Sequence, residues 1–381
     1  MPQLKILHLI TTMDYGGAEL RLWDEVSHSD PKRYSITLAY ILGNAELLKN
    51  RTLPSYIKIE DLTWRGGFSF FSIFRLFFLL ARNKFDLIHT HLIHASILGR
   101  LMGTLFRIPI ITTQHHAYQF KDATWIYRFE RLTRRLSSHF IAISNYTKYY
   151  LLRSSFGQLL NITVIPTGIN MEHLMEVSSS RLHLLTAFET KFKKNLNNNA
   201  ITIIGTVANF RPQKNYDCFF EATQEIIAYC PDVLVITIGG GKDLIKYQKK
   251  IKKYDISDHL IFMGATPNAY QWIQLFDIFI LSSEQEAFGR VLLEAMLFKK
   301  AIVATHVEAI PEIVVSKRTG LLVPQNNAHD LAQAIIALMK NKPLRNSLGQ
   351  LGHQRLKEMF TVGRMIQKID MHYNNMRAKA L

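Results

Sequence analysis

Short, almost unbroken apolar runs recur along the first half of the chain: "KILHLI", "SITLAYI", "FDLIHTH", "PIITTQH", "HFIAIS" and "ITVIPTG". Apolar residues fill most positions of several runs instead of alternate ones, as in parallel strands covered on both faces, and the text between runs has helical spacing. This alternation predicts a doubly wound sheet. Between Gly168 and Asn199 the pattern lapses into polar text ending in "KFKKNLNNN", then restarts with "AITIIGTVANF", "DVLVITIGGG", "HLIFMG", "DIFILSS", "KAIVAT" and "GLLVP". The reading is two α/β modules, 1–170 and 200–360, joined by a linker over 171–199, with a last helix over 361–381 that packs back on the first module. A cleft between two such modules is the expected ligand site.

Composition agrees with this reading and adds one asymmetry. A chain of 381 residues with 48% apolar and 20% charged residues is a folded protein, long enough for two domains. Cys218 and Cys230 stand in no CxxC or metal-ligand pattern and read as reduced thiols. The opening run, with a single Lys ahead of about six apolar residues, leads straight into a strand-and-turn pattern unlike a signal peptide, so the expected location is the cytoplasm. The net charge of +16 is uneven: Phe68 to Leu160 carry twelve Lys/Arg against three Asp/Glu. Within that region "FSFFSIFRLFFLLAR", Phe68 to Arg82, is apolar and basic, and "YRFERLTRR" sets Arg128, Arg131 and Arg135 on one helical face. The first reads either as a buried helix of the α/β layer or as a surface-seeking helix, and the second as a solvated face or an anion-attracting one. The first is too short, and too interrupted by Arg75, to span a bilayer.

Candidate chemistry gathers at predicted strand ends. "SSEQEAFGRVLLEAM", Ser282 to Met296, follows a buried strand with Glu284, Glu286 and Glu294 around a Phe-Gly step. Burying unpaired carboxylates is costly, so water or a ligand must partner them. The N–H groups of Ala287 to Arg290 lie where a helix begins and favour an anion, while the acidic residues alternatively only offset the helix dipole. "NFRPQKN" offers Arg211 and Lys214 to a diphosphate, with plain solvation as the alternative. In "DYGGAE", Gly16 and Gly17 permit close backbone approach, but the pattern is not a dinucleotide fingerprint. "GGGKD" is a second glycine turn, at Gly239 to Asp243. His115 and His116 close a strand, whereas His89, His91 and His94 have a spacing that suits neither a strand face nor a helix face for all three together. No DxD occurs to hold Mg²⁺ on a diphosphate, so cationic side chains and a helix terminus are expected to do that work.

Together these stretches resemble the retaining, nucleotide-sugar-dependent glycosyltransferases of family four. "GGAE", "FDLIHTH", "PIITTQHH", "VIPTGIN", "RPQKN", "ITIGGGKD", "LIFMGAT", "EAFGRVLLEAM", "AIVATHVEAIPEIV" and "TGLLVPQNNAHDLAQAI" carry the resemblance over almost the whole chain, and the Glu-x7-Glu spacing of Glu286 and Glu294 is its most specific part. The resemblance implies the GT-B fold, two Rossmann-like doubly wound parallel-sheet domains facing each other across a cleft. It also implies roles. Glu294 would hold the donor ribose and Glu286 the transferred sugar; Ala287, Phe288 and Gly289 would touch sugar and phosphate through their backbone. Arg211 and Lys214 would neutralise the leaving diphosphate, His115 would reach the sugar, Gly16 and Gly17 would line the phosphate and acceptor side, and Gly264 in "LIFMGAT" would lie on the donor. Family retention without a carboxylate nucleophile is explained by front-face attack, and no metal or other cofactor is required. The chain departs from the family at Asn209, where Arg is frequent, at Ala287 and Thr167, where Gly and Asn are common, and at the missing Gly-Gly ahead of Ile310.

The implied partners are a nucleotide-diphosphate sugar, a glycan or glycolipid acceptor, and an anionic membrane met through the basic first module, in cell-surface polysaccharide or lipopolysaccharide assembly. Two competing readings are a same-fold epimerase or hydrolase acting on nucleotide sugars and a non-catalytic binder of acidic polymers. The absence of RNP, helix-turn-helix and zinc signatures counts against nucleic acid.

Overall fold

The computed structural model describes residues 2–49, 51–63, 70–116, 125–153, 160–193 and 201–380. The chain divides into two compact units, Met1–Asn170 with Thr361–Leu381, and Met171–Phe360.

The first unit runs β1 (Leu4–Ile10), α1 (Gly17–Ser27), β2 (Tyr34–Tyr40), α2 (Glu46–Lys49), β3 (Ile57–Asp61), α3 (Phe70–Arg82), β4 (Leu87–His91), α4 (Ile93–Leu105), β5 (Ile110–Gln114), α5 (Trp125–Thr133), β6 (His139–Ala142), α6 (Asn145–Leu152) and β7 (Ile162–Val164). Its seven strands are all parallel, in the order β3-β2-β1-β4-β5-β6-β7. The order reverses between β1 and β4, where the register sets His8 beside His89. Side chains of β1 and β4 are buried almost throughout; β1 is largely apolar on both faces to match, whereas β4 buries the polar His89, Thr90 and His91. β3, an edge strand, is the one that the sequence reading omits: Lys58 and Glu60 interrupt it.

The second unit begins with α7 (Met171–Glu176) and α8 (Arg181–Phe192) and continues through β8 (Thr202–Val207), α9 (Tyr216–Tyr229), β9 (Val233–Ile238), α10 (Leu244–Lys250), β10 (Leu260–Gly264), β11 (Ile278–Leu281), α11 (Arg290–Leu297), β12 (Ala301–Thr305), α12 (Ile310–Ile313), β13 (Leu321–Val323), α13 (Ala328–Lys340) and α14 (Lys342–Met359). Six parallel strands run in the order β10-β9-β8-β11-β12-β13, reversing between β8 and β11.

The last helix, α15 (Val362–Ala380), returns to the first unit. Met365, Ile369 and Tyr373 share a core with Ile6, Leu22 and Trp23, and Arg33 pairs with Asp370 at 2.7 Å. A Cβ on Gly168 would lie 2.3 Å from the Thr361 carbonyl oxygen, so the close crossing of chain segments there requires glycine.

Two expectations need correction. Residues 171–193 are mostly helical and belong to the second unit instead of forming a linker; 194–199 lie outside the described residues. The Ser180 side chain caps α8 by accepting from His183 N at 3.3 Å, and only Leu184 and Phe188 of that helix are buried, so its apolar signal is thin. The run from Phe68 to Arg82 is not a buried helix. Phe68 and Ser69 lie outside the described residues, and α3 buries Ser72, Leu76, Leu79 and Leu80 while leaving Phe70, Phe71, Phe74, Phe77 and Phe78 exposed.

Candidate functional site

In the second unit the candidate residues lie where the strand order reverses. Neighbouring strands at such a point send their following helices to opposite faces, and the two loops leave a crevice at the carboxyl ends. β8 is followed by "ANFRPQKN" and β11 by "SSEQEAFG", and the structure laces these loops together. Ser282 Oγ donates to the Lys214 carbonyl at 2.9 Å and Glu284 N donates to the Gln213 carbonyl at 2.8 Å. Lys214 Nζ forms an ion pair with Glu286 Oε2, with the two side chains 22% and 16% exposed, hence shielded but still reachable by a ligand.

Glu286 is held from several directions. Ser283 Oγ lies 3.5 Å from its carboxylate, its N–H donates to Glu308 Oε2 at 2.6 Å, and its carbonyl accepts from Ala309 N at 3.2 Å. Glu308 and Ala309 stand where the family resemblance expects Gly-Gly. Glu308 keeps the left-handed backbone of a glycine, φ +44°, and adds a carboxylate that holds the loop. Gly289 closes the loop at φ +91°, beside the first residue of α11. The Phe288 side chain is buried against Phe360, ring centroids 6.0 Å apart, so a ligand at this loop would meet its backbone. Glu294 lies a turn into α11, is 8% exposed and accepts from Arg290 Nε at 3.3 Å.

Other predicted residues stand apart from the Lys214–Glu286 pair. Arg211 is exposed at the start of the short 3-10 turn over Pro212–Lys214 and has no side-chain partner among the described residues. Gly264, φ +76°, ends β10 with open space where a Cβ would project, and its carbonyl accepts from Gly239 N at 3.0 Å. A Cβ at Gly239 would come 2.1 Å from the Ala208 carbonyl oxygen and one at Gly241 2.7 Å from that of Phe210, so the triple-glycine turn is the seat of the β8 loop.

In the first unit, Gly16 and Gly17 follow β1 at the reversal point. A Cβ at Gly16 would clash with Glu19 Oε2 at 2.3 Å, and Gly17 opens α1 with nothing within 4 Å of a Cβ. His115 lies just beyond β5, 5% exposed, and belongs to a buried chain of imidazoles that the sequence reading did not foresee. His115 Nε2 is 3.1 Å from His91 Nδ1, and His91 Nε2 is 3.3 Å from His8 Nδ1. Beside them His89 bridges Thr113 Oγ1 at 2.7 Å and Tyr373 OH at 2.6 Å, and the Tyr373 hydroxyl donates to Glu25 Oε1 at 2.9 Å. Arg21 Nη1 donates to the other Glu25 oxygen at 3.1 Å. Burial pushes His8 down to about 3, helped by His89 and Arg21 against the pull of Glu25. Burial likewise holds His91 and His115 well below the ordinary imidazole range. For Glu25, burial pushes upward, but His89 and Arg21 outweigh it and hold the carboxylate ionised.

His8, His89 and His91 place ligand nitrogens within 4.8 Å of one another. His94 is not among them: it sits on α4 with Nδ1 buried and unbonded, in keeping with a spacing that sets it apart from His89 and His91. Both ring nitrogens of His89 and of His91 are already engaged by protein groups, which makes the cluster a buried hydrogen-bond network around one carboxylate. Its members come from β1, α1, β4, β5 and α15, and nothing local in the text links His8 to Tyr373.

Two family models match the chain: "Glycosyltransferase Family 4" over residues 15–173 and "Glycosyl transferases group 1" over 187–355. The N-acetyl-alpha-D-glucosaminyl L-malate synthase of Bacillus anthracis is 27% identical over 167 residues, 44% of each chain. The UDP-Gal:alpha-D-GlcNAc-diphosphoundecaprenol alpha-1,3-galactosyltransferase of Escherichia coli is 22% identical over 315 residues, 80% of this chain and 79% of that one. Among solved structures, HepE of Anabaena in complex with UDP-glucose superposes with a TM-score of 0.83 at 20% identity, covering 98% of this chain and 100% of that one. With one model on each unit and two parallel-sheet α/β domains that match GT-B neighbours, the chain belongs to glycosyltransferase family 4.

Proposed function

We propose that the protein is a retaining transferase that moves a hexosyl or N-acetylhexosaminyl group from a nucleotide-diphosphate sugar to a glycan or lipid-linked acceptor, in cell-surface polysaccharide or lipopolysaccharide assembly. The observation that carries this reading is the Lys214–Glu286 pair between laced loops at the strand reversal, directly ahead of the α11 N-terminus. An ammonium group and a row of backbone N–H groups are what a departing diphosphate needs, because its negative charge grows in the transition state. Lys214 and the N–H groups of Ala287 to Arg290 take the phosphates, and exposed Arg211 closes on them as a fork. Glu286, relieved of part of its pairing with Lys214, accepts from hydroxyls of the sugar, Glu294 accepts from the ribose, and the backbone at Gly264 leaves room beside the donor. His115, held neutral, hydrogen-bonds the transferred sugar, and Gly16 and Gly17 serve the phosphate and acceptor side.

In the reaction the bond from the anomeric carbon to the diphosphate oxygen breaks, and the acceptor oxygen bonds to that carbon from the same face. The acceptor proton passes to the leaving phosphate. Fixed cations do the electrostatic work, so the reaction runs without a metal. The HepE complex and the name of the E. coli relative favour UDP as the nucleotide and a polyprenyl-diphosphate-linked acceptor at the inner membrane face.

A thermal-shift panel of nucleotide diphosphates and their sugars in EDTA tests the donor half. A rise in Tm with one UDP-sugar in chelator is expected; no rise with any of them overturns it. Product formation only with an added glycolipid supports the acceptor, and sugar release without one supports a hydrolase instead.

A further inference from the structure

We propose that the aromatic face of α3 is the surface by which the first unit docks on an anionic lipid bilayer, a step that rests on the lipid-linked acceptor argued above. The observation is an inverted pattern of burial. A surface helix ordinarily hides its apolar stripe, and α3 already does so with Leu76, Leu79 and Leu80. Its opposite side then exposes Phe70, Phe71, Phe74, Phe77 and Phe78, at 69%, 54%, 45%, 38% and 50%. At 100° per residue these rings cover an arc of about 120°, with exposed Arg75 and Arg82 along one flank.

The patch continues beyond the helix. Phe77 stacks edge-on against Phe106 at 5.2 Å, next to exposed Arg107 and close in sequence to Leu105, which is 64% exposed at the end of α4. α4 packs on α5, where Trp125 is 75% exposed a turn away from exposed Arg128. Aromatic rings bordered by guanidinium groups, with no acidic residue on α3, complement a sheet of phosphate headgroups over acyl chains. A second copy of the same face is a poorer partner, because it would bring like-charged Arg75 and Arg82 borders together. α3 has 13 residues, and no helix among the described residues is long and apolar enough to cross a membrane, so the helix lies in the plane of the interface.

Sedimentation of the full chain with sucrose-loaded vesicles tests this. Wild type is expected to pellet with phosphatidylglycerol/phosphatidylethanolamine vesicles and about tenfold less with phosphatidylcholine alone. The triple variant Phe74→Ser/Phe77→Ser/Phe78→Ser, on exposed positions, is expected to lose about tenfold in vesicle binding while keeping its Tm and its donor-induced thermal shift. Arg82→Gln should weaken binding mainly at low salt. Wild type that stays in the supernatant overturns the proposal, as does a triple variant that pellets equally, or a dimer in solution that the triple variant dissociates. Donor binding is read separately: vesicle binding without any donor shift removes the transferase reading and leaves the docking surface, and the reverse result removes only the docking surface.

Discussion

Lys214 and Glu286, 72 residues apart in sequence, meet in an ion pair because their loops follow adjacent strands at the point where the second sheet reverses its order. In the structure each group satisfies the other. On the proposed reading a donor exchanges this contact for its own, with phosphate taking the ammonium and sugar hydroxyls the carboxylate.

Lys214→Ala is expected to lower kcat/KM by about 2–4 kcal/mol of transition-state stabilisation, the size of one removed oxyanion donor. Glu286 is partly exposed, so water replaces its partner and Tm should move by no more than a few degrees. Steady-state kinetics beside a melting curve read both; an unchanged rate excludes the diphosphate role.

Glu294 is nearly buried and shares Arg290 within one turn of α11. Glu294→Ala should weaken UDP about ten- to hundredfold, the range of a hydrogen bond to a charged group. Titration calorimetry with UDP measures it, and wild-type affinity would sink the ribose assignment.

The imidazoles of His8, His91 and His115 are held neutral by burial. In the unfolded chain they protonate near pH 6.5, so the unfolded state binds more protons below that pH and stability falls as the pH falls from there toward about 3. Each ring adds a slope of at most about 1.4 kcal/mol per pH unit. Urea unfolding at pH 7, 6 and 5 should show the decline, and a flat profile would mean the rings are solvated.

Half-buried Lys300 donates to the Gln274 carbonyl at 2.8 Å, and burial pushes its pKa down to about 8 against the pull of Asp277. Above that pH the native state has lost a proton that the unfolded chain keeps until about 10.5, so this group raises stability with pH across the window. Lys300→Met should abolish the rise between pH 8 and 10. Identical slopes in the two proteins would show that the ammonium is solvated in the native state.

The parallel sheets were legible because fully covered strands such as β9 and β11 are apolar at nearly every position. β3 was not, since Lys58 and Glu60 face outward from an edge strand. α8 read as linker because two buried residues are too few to impose a period. For α3 the apolar run was seen, but composition does not tell a buried phenylalanine from an exposed one. At the site, "RPQKN" and "EAFG" were each visible as separate clusters, whereas their pairing depends on strand order. Glu308 registered only as a missing glycine, since its left-handed backbone and its bond to Glu286 arise from the folded turn. The histidine network was invisible for a simpler reason: sequence distance separates His8, His89 and Tyr373, which touch only once the sheet and α15 have assembled.

That assembly has a consequence for how the protein is made. Tyr373 closes the core of the first unit from the far end of the chain, with the entire second unit synthesised in between. Domains tend to fold in order as they leave the ribosome. Here the earlier one must wait, its Glu25 and His89 lacking their tyrosine partner, until the second unit has been made and α15 has followed it. A nascent chain stalled before α15 would carry an incomplete first unit, and emergence of α15, more than emergence of residue 170, sets the moment at which that unit can close.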